Sequence, residues 1–408
     1  MQQIVKPILK DQESAKKVVN SEFWTNKQRQ MNPIHYSVSY RGSFKPELPH
    51  HFISKYFGDI GNLKQYFTEG LPKLIFDPFA GRGTTIIQAN IMGHNAIGND
   101  INPLFERICY PLTHPPKINE LEERIQKIDF FWKSLEEFEK ENKEDLLPFY
   151  HPDTLTQLLN LKEYLKKHRD DVDRFIEMIA SSRLHGHSPG FFSAYSFPQI
   201  SVPPKRQRKI NEKHGQPKKK NIANLIMRKA KRSLARDSYE LETLRKYGQS
   251  TVFTNYDSRN LNKQIYKSQF IDLIITSPPF LAQVDYLGDN WLEFWFLDIN
   301  PDEFKDRLVI TNNLELWKEF IEDSLHEMYR VLKEKSVAII EVGDIKHNRK
   351  RINLDEIVQN LGEKVGLSLI KRYIHNQKFT KLSNCFNVRN NLDGVNTQRM
   401  VAFKKHSP

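Results

Sequence analysis

The chain has 408 residues, a net charge of +12, and a composition that is 38% hydrophobic and 11% aromatic. This is enough apolar material for one large domain with an insertion, or for two domains. No apolar run approaches the ~18 residues that a membrane span needs. The first residues lack the apolar stretch of a signal peptide. We therefore expect a soluble intracellular protein with no membrane partner.

The cysteines and histidines do not form a metal-ligand pattern. Neither Cys109 nor Cys385 is part of a CxxC pair, so a zinc site built on cysteine is not predicted. His185 and His187 flank Gly186, but no HExxH motif follows. We expect reduced cysteines and no bound metal.

The positive charge is concentrated in one segment. Thirteen lysines and arginines and one acid, Glu212, lie between Lys205 and Arg236, so this block alone carries the chain's net charge of +12. A concentrated basic block is typical of a protein that binds a polyanion, nucleic acid above all. The alternative is a solvated charge run without a partner.

The first elements form a β-turn-α-β unit. Residues 73–77 read as a short buried strand that a Pro- and Gly-rich turn ends, and residues 84–92 have helical character. Residues 96–100 form a second strand that ends in an acid. Such a unit opens a doubly wound α/β sheet.

Helical periodicity and many charges then predict an inserted region over residues 111–245. A segment rich in Pro, Ser and aromatics precedes the basic block, and Phe191, Phe192 and Tyr195 within it are expected to pack in the protein. The α/β pattern then resumes, with predicted strands at 251–254, 271–275, 335–342, 367–374 and 399–404 and helices at 314–333 and 353–364. We therefore predict a catalytic domain in two parts, 1–110 and 246–408, split by the insertion.

The turn after the first strand, DPFAGRGTT, has the properties of a ligand-binding loop. Glycines let the backbone approach a ligand closely, and the following helix N-terminus offers free N–H groups. The loop lacks both the GxGxxG spacing and the lysine of a phosphate-cradling loop. Asp100 is placed to accept hydrogen bonds from a ribose diol. The alternative is an ordinary glycine turn beside a surface acid.

Together, DPFAGRGTT and GNDINP resemble the S-adenosylmethionine motif of the DNA amino-methyltransferases. The resemblance implies that the loop backs the methionine part of S-adenosyl-L-methionine and that the acid holds the ribose. Residues 41–48, RGSFKPEL, resemble the family's extra motif before the sheet, and Asp257 matches an acid near the adenine ring. Arg82 stands where a small residue is common. The implied cofactor-binding residues are Phe44, Lys45, Pro46, Asp77, Pro78, Phe79, Gly81, Gly83, Thr84, Thr85, Asp100, Ile101, Asp257 and Ser258.

The second motif, TSPPF, directly follows the strand IDLII. An exocyclic base amine is a poor nucleophile because its lone pair is delocalised into the ring. The Ser277 hydroxyl and the Pro278 carbonyl can accept its hydrogens, while Pro278 and Pro279 stiffen the loop. Phe280 offers a π face for a base that has left the stack. The alternative is that the two prolines only end a strand.

The family signature is [DNS]-P-P-[YFW], and serine in the first place favours cytosine N4 as the target. The alternatives are adenine N6, an RNA guanine-N2 methyltransferase, and a catalytically silent DNA-binding subunit. Cytosine C5 chemistry needs a cysteine nucleophile, and neither Cys109 nor Cys385 lies near a predicted strand end. The implied fold is a Rossmann-like class I methyltransferase with a mostly parallel seven-stranded sheet.

The family resemblance makes the insertion the DNA-reading part. The expected partners are double-stranded DNA and a cognate restriction endonuclease, in the bacterial cytoplasm and at the nucleoid. Arg206, Gln207 or Arg208 could contact base edges, because Arg and Gln make bidentate contacts in the major groove. The predicted DNA-binding residues are Lys205, Arg206, Arg208, Lys209, Lys218, Lys219 and Lys220.

Overall fold

A twisted, mostly parallel sheet with helices on both faces forms the centre of the protein. The computed structural model describes residues 17–21, 23, 29–40, 42–58, 71–139, 145–197, 200–235, 239–279, 281, 285–309, 311–347, 350–376 and 397–406. The strands are β1 Val18–Ser21, β2 Leu74–Asp77, β3 Asn95–Asn99, β4 Val252–Thr254, β5 Ile271–Thr276, β6 Leu332–Val342, β7 Asp344–His347, β8 Lys350–Asn353, β9 Leu367–Asn376 and β10 Thr397–Lys405.

Eight of these strands form the main sheet, in the order β1-β9-β10-β6-β5-β2-β3-β4, while β7 and β8 form a separate hairpin. β10 runs antiparallel to both of its neighbours, and the other pairs in the main sheet are parallel. The class I methyltransferase fold is confirmed, but the prediction of seven strands was wrong. The eighth strand, β1, is a four-residue edge strand that pairs with β9.

The helices are α1 Glu47–Phe57, α2 Thr84–Ile91, α3 Leu104–Thr113, α4 Ile118–Lys127, α5 Leu135–Glu139, α6 Pro152–Lys167, α7 Asp171–Ser181, α8 Pro204–His214, α9 Ile222–Ser233, α10 Tyr239–Gly248, α11 Trp291–Leu297, α12 Leu314–Val331 and α13 Leu354–Val365. None of the described helices is both long and apolar enough to cross a membrane. The predicted helices at 84–92, 314–333 and 353–364 are confirmed as α2, α12 and α13, and the helical periodicity of residues 111–245 corresponds to several separate helices, α4 to α10.

Two apolar layers hold the sheet between the helices. Side chains of a strand alternate between its faces, so Ile75 belongs to one buried cluster and Phe76 to the other. Helices α1, α2 and α10 cover one face, and α12 and α13 cover the other. The last helix of the predicted insertion, α10, therefore packs on α2 of the sheet domain.

The strand order places a binding crevice between β2 and β5. From β2 the chain runs outward through β3 and β4, whereas β5 and β6 lie on the other side of β2. In open α/β sheets ligands bind where the order reverses, at the carboxyl ends of the strands. The glycine turn follows β2 at this edge and the SPP segment follows β5, so both motifs flank the crevice.

Candidate active site

A cavity of about 910 Å³, open to solvent, lies at the carboxyl edge of the sheet beside β2 and β5. It brings together residues predicted for the cofactor and residues predicted for catalysis. The predicted residues in its wall are Phe44, Pro78, Phe79, Gly81, Thr84, Asp100, Ile101, Asp257, Ser258, Ser277, Pro278 and Pro279. Two motifs far apart in the sequence therefore form a single site.

The glycine turn is held in a shape that glycine favours. Gly81 has φ of 53° and Gly83 φ of 79°, both in the left-handed region. The Asp77 side chain accepts a hydrogen bond from the Phe79 N–H at 3.1 Å, which tightens the start of the turn. Helix α2 begins directly after Gly83. The turn therefore presents backbone groups to the cavity without side chains in between.

Asp100, at the end of β3, is tied to the glycine turn. Its carboxylate accepts hydrogen bonds from the backbone N–H groups of Gly81 at 2.9 Å and Asn102 at 3.0 Å. Burial raises the pKa of Asp100 to about 6, although these hydrogen bonds oppose the shift. The acid is therefore fixed in the cavity wall, with lone pairs left to accept further hydrogen bonds.

Cys109 lies directly behind the glycine turn. Its Sγ is 3.7 Å from the Gly81 carbonyl oxygen, and a Cβ on Gly83 would come within 2.4 Å of the same sulfur. The expectation that Cys109 lies away from the site was wrong, because α3 folds back under the loop. Burial raises the pKa of the Cys109 thiol well above its usual value, so the thiol stays protonated. Cys385 lies outside the described residues.

The SPP segment is anchored on three sides. Thr276 donates a hydrogen bond to the Asp77 carboxylate at 2.5 Å, and Trp317 of α12 donates to the Pro279 carbonyl at 2.9 Å. The Ser277 hydroxyl donates to the buried Glu341 of β6 at 2.6 Å. Phe280, the last residue of the motif, lies outside the described residues.

The carboxyl groups beneath this segment are held in an apolar environment. Burial raises the pKa of Glu341 to about 7, and the hydrogen bond from Ser277 only partly offsets this. Burial likewise raises the pKa of Asp77 to about 7. Each group is therefore poised to exchange a proton near neutral pH, and Glu341 does so in contact with Ser277.

A second cavity, of about 620 Å³, adjoins the first, and Tyr40 and Tyr286 line both. His185 Nε2 in its wall lies 2.8 Å from a carboxylate oxygen of Glu293. Ser201 donates a hydrogen bond to the other oxygen of this carboxylate at 3.0 Å. The predicted insertion therefore reaches the edge of the first cavity, here called the reaction cavity, through His185-Gly186-His187, here called the HGH segment.

Several predicted cofactor residues lie behind the cavity wall rather than in it. Thr85 donates a hydrogen bond to the Ile275 carbonyl at 3.1 Å and ties α2 to β5. Lys45 and Pro46 begin α1 and provide the first backbone acceptors of that helix. Residues in this supporting position are Lys45, Pro46, Asp77, Gly83 and Thr85.

Asp257 and Arg82 each have hydrogen-bond partners that the sequence did not predict. Asp257 lines the cavity, and Arg259 donates three side-chain hydrogen bonds to its carboxylate. Although burial opposes the change, these bonds lower the pKa of Asp257. Arg82 donates one hydrogen bond to the Thr84 hydroxyl within the loop and another to the Val38 carbonyl, both at 3.2 Å. Arg82 therefore secures the segment before α1.

The structure divides the predicted DNA-binding residues into free and occupied groups. Arg208 pairs with Asp145, and Lys219 pairs with Asp153 at 2.5 Å. Lys218 and Lys220 line an open groove. The suggestion that Gln207 reads bases was wrong, because its side chain is fully buried and donates to the Tyr195 carbonyl at 2.9 Å.

The aromatic residues of the same segment pack as expected, since Phe191 and Phe192 are buried. Tyr195 stacks on His214 with ring centroids 4.1 Å apart.

The site also contains three residues that the sequence did not predict, Tyr40, Tyr256 and Glu341. The two tyrosines line the cavity, and Glu341 holds Ser277. The available signal for Glu341 was an acid at the end of the predicted strand SVAIIEV. Its neighbours Val337, Ile339 and Ile340 are buried in the core.

Comparison with known proteins agrees with this geometry. Residues 271–405, from the first residue of β5 to the last of β10, match the family model described as DNA methylase. The chain is 24% identical to the type II methyltransferase M.MjaII of Methanocaldococcus jannaschii, over 83% of this chain and 76% of that protein. It is 23% identical to the type II methyltransferase M.BsoBI of Geobacillus stearothermophilus, over 67% and 54%. These matches support a DNA amino-methyltransferase.

Among solved structures, the rRNA methyltransferase aviRa of Streptomyces viridochromogenes aligns with 94% of this chain and 96% of its own, at 9% identity and a TM-score of 0.36. The alignment with M.BsoBI spans about half the length of that relative. The fold assignment therefore rests on the strand order.

The cavity fits S-adenosyl-L-methionine, the methyl donor of the class I methyltransferase fold. Phe79 and Phe320, with ring centroids 5.6 Å apart, and Tyr256 provide an aromatic wall suited to an adenine ring. Asp100 suits a ribose diol. The buried carboxyl groups suit the positive charge of a sulfonium and ammonium ligand. The residues in and behind the wall therefore offer partners for the adenine ring, the ribose and the positive charge of the cofactor.

Proposed function

We propose that the protein is a site-specific DNA methyltransferase that transfers the methyl group of S-adenosyl-L-methionine to the N4 amine of a flipped cytosine in duplex DNA. The observation that carries the proposal is the shared cavity of the glycine turn and the Ser277-Pro278-Pro279 segment. Ser277 in the first place of the motif favours cytosine N4.

Ser277 and Pro278 orient the amine in this mechanism. Because the Ser277 hydroxyl donates its hydrogen to Glu341, its lone pairs are free to accept an amine hydrogen. The Pro278 carbonyl accepts the second hydrogen. With both hydrogens held, the amine nitrogen becomes pyramidal and its lone pair points toward the methyl donor. Bound S-adenosyl-L-methionine supplies the methyl group, which leaves the sulfonium as the N–C bond forms.

Glu341 accepts the proton that the amine must lose. After transfer the nitrogen carries one proton in excess, and Ser277 can pass it to Glu341 across their 2.6 Å hydrogen bond. A pKa of about 7 lets Glu341 take up this proton and release it at neutral pH. The acid therefore acts on the amine through the serine.

The insertion and its basic groups hold the DNA around the cavity in this proposal. Lysines and arginines mainly contact phosphates, which position the duplex without reading its sequence. Two lysines of the predicted set, Lys218 and Lys220, line an open groove beside the HGH segment. The catalytic edge of the sheet and the insertion would therefore grip the same duplex.

Adenine N6 is the second candidate target, because the matched family model is named for both N6 and N4 methylation. Two hydrogen-bond acceptors at Ser277 and Pro278 would hold either amine. Cytosine and adenine therefore differ in their rings. The Ser277 and Pro278 acceptors would bind the amine and not the ring.

The test is incubation of the protein with S-adenosyl-L-methionine and mixed-sequence duplex DNA, followed by nucleoside mass spectrometry. N4-methylcytosine is the expected product. N6-methyladenine would contradict the cytosine assignment while keeping the mechanism at Ser277. If calorimetry shows bound cofactor but no modified base forms, DNA is the wrong substrate or the protein is a silent DNA-binding subunit.

A further inference from the structure

Five cationic side chains from three separate segments converge beside the HGH segment. Arg29 precedes the short 3-10 helix Pro33–Tyr36, Arg183 follows α7, and the others lie on α9. The complete set, here called the basic cleft, is Arg29, Arg183, Arg228, Lys229 and Arg232.

Specific contacts position these cations. The Lys229 ammonium donates a hydrogen bond to the Tyr36 carbonyl at 2.7 Å and so joins α9 to the N-terminal segment. The Arg183 guanidinium lies over the Phe191 ring, 4.2 Å from its centroid. Arg228 lies over the neighbouring loop, since a Cβ on Gly190 would be 3.6 Å from its Nη2.

No acid among the described residues forms an ion pair with any member of the basic cleft. The contrast lies on the same helix, where Lys231 pairs with Glu122 at 2.6 Å. Several charges gathered without counterions are unfavourable in the free protein, so this arrangement is typical of a site whose anion comes from a ligand.

The pKa values of Lys229 and Arg183 reflect the burial of these cations and the repulsion among them. Burial, followed by the charges of Arg183, Arg29 and Arg232, lowers the pKa of Lys229 to about 7. Burial and the charges of Arg29 and Arg232 lower the pKa of Arg183 to about 10. The cations therefore repel one another in a partly desolvated place, where an added anion would be bound most strongly.

The basic cleft is connected to the reaction cavity by short stretches of chain. His185, two residues after Arg183, lines the second cavity, which adjoins the first through Tyr40 and Tyr286. Tyr36, whose carbonyl accepts the hydrogen bond from Lys229, lies four residues before Tyr40 in the sequence. The basic cleft and the two cavities therefore share the segments that carry Tyr36 to Tyr40 and Arg183 to His185.

We propose that the basic cleft binds backbone phosphates of the duplex beside the target nucleotide. This inference rests on the proposed function and assigns a DNA contact to residues outside the predicted set. The duplex is preferred to a free phosphate because three segments supply five cations, more than one phosphate needs. Phosphate contacts of this kind set affinity and register rather than sequence preference.

The test is the salt dependence of binding to a fluorescent mixed-sequence duplex, with and without sinefungin as a cofactor mimic. The variant Arg228→Gln with Arg232→Gln changes two exposed side chains. If each contacts one phosphate, the slope of log K against log salt falls by ~2, since each contact contributes ~0.9. The matched control is Lys231→Gln, which removes one charge from the same helix where Glu122 already neutralises it. Its slope should stay within ~0.3 of the wild-type value.

Each other outcome has a defined meaning. An unchanged slope in the double variant, with wild-type melting temperature and sinefungin affinity, would overturn the basic cleft while methylation of DNA still supports the proposed function. An equal fall in the Lys231→Gln control would also overturn it, because the effect would be one of net charge. If the wild-type protein prefers an RNA hairpin to the duplex, the duplex partner is wrong. If it neither binds nor methylates DNA, both proposals fall together.

Discussion

The carboxyl edge of the sheet and the basic cleft bury charges of opposite sign. At the sheet edge, burial raises the pKa of Asp100 to about 6 and that of Glu341 to about 7. In the basic cleft, burial and like charges lower the pKa of Lys229 to about 7. In each place the shifted pKa favours the neutral form of the group, and a bound ligand of opposite charge would favour the ionised form. The sheet edge therefore suits a cation, and the cleft suits a polyanion.

We expect the cofactor and the DNA phosphates to have opposite effects on the number of protons that the protein binds. A cationic cofactor beside Asp100 and Glu341 would favour their ionised forms and release protons on binding. A phosphate beside Lys229 would favour the ammonium form and take up a proton. The groups acting on Lys229 are Arg29, Arg183 and Arg232, together with the Tyr36 carbonyl.

The largest effect is expected for Ser277→Ala. Loss of the acceptor that holds the amine should lower turnover ~10²–10³-fold, while cofactor affinity changes less than ~3-fold. Single-turnover kinetics and calorimetry separate the two quantities. Ser250→Ala is the control, because Ser250 bonds Asn95 at the opposite edge of the sheet. A loss of cofactor affinity equal to the loss of turnover would show that Ser277 acts in binding instead.

Glu341→Gln should lower turnover ~10–10²-fold and change its pH dependence. In the wild-type protein the pKa of Glu341 is raised to about 7, so only the form above this pH accepts the Ser277 hydrogen. The turnover number should therefore rise with pH through about 7 and level off. The glutamine variant should lose this rise. A variant that keeps the wild-type pH profile would exclude Glu341 from the proton path.

Asp100→Asn should weaken S-adenosyl-L-methionine binding ~10-fold, since the amide replaces one of the two acceptors of the acid. Because burial raises the pKa of Asp100 to about 6, wild-type affinity should also fall as the pH drops below about 6. Calorimetry at two pH values measures both effects. Asp257→Asn is the comparison, and a smaller loss is expected because Arg259 already occupies that carboxylate. Equal losses would contradict the special role of Asp100.

The smallest effects are expected in the predicted lysine run. Lys218→Gln with Lys220→Gln should lower the slope of log K against log salt by ~0.9 per lost contact. Lys219→Gln should change it less, because Asp153 already neutralises Lys219. Salt titrations of duplex binding measure both. Equal slopes in all variants would mean that the run is only a solvated surface.

The sequence predicted those parts of the fold that depend on local pattern. Continuous apolar runs predicted β2, β5 and β6, and the Pro- and Gly-rich turn after β2 marked the cofactor loop. The short strand β1, VVNS, was missed because only its pairing with β9 makes it a strand. Its four residues carry no alternation long enough to be recognised.

The same division applies to the site. Asp100 and Ser277 stand next to recognisable motifs, so their positions followed from the sequence. Glu341 was missed because its contact with Ser277 depends on the register of β5 against β6, where Thr276 pairs with Ile340. The basic cleft was missed because a count of charges does not show which cations have partners.

The place of β10 in the sheet affects how the protein is made. β10 is the last of the described strands, yet it lies between β6 and β9, and β1 in turn pairs with β9. During synthesis, β6 must leave the ribosome with one edge unpaired, which exposes backbone groups to wrong partners. Because Glu341 on β6 pairs in register with Met400 on β10, the proposed proton acceptor is fixed only after β10 has joined the sheet. A chain in which β10 has not yet paired would therefore lack a positioned partner for Ser277.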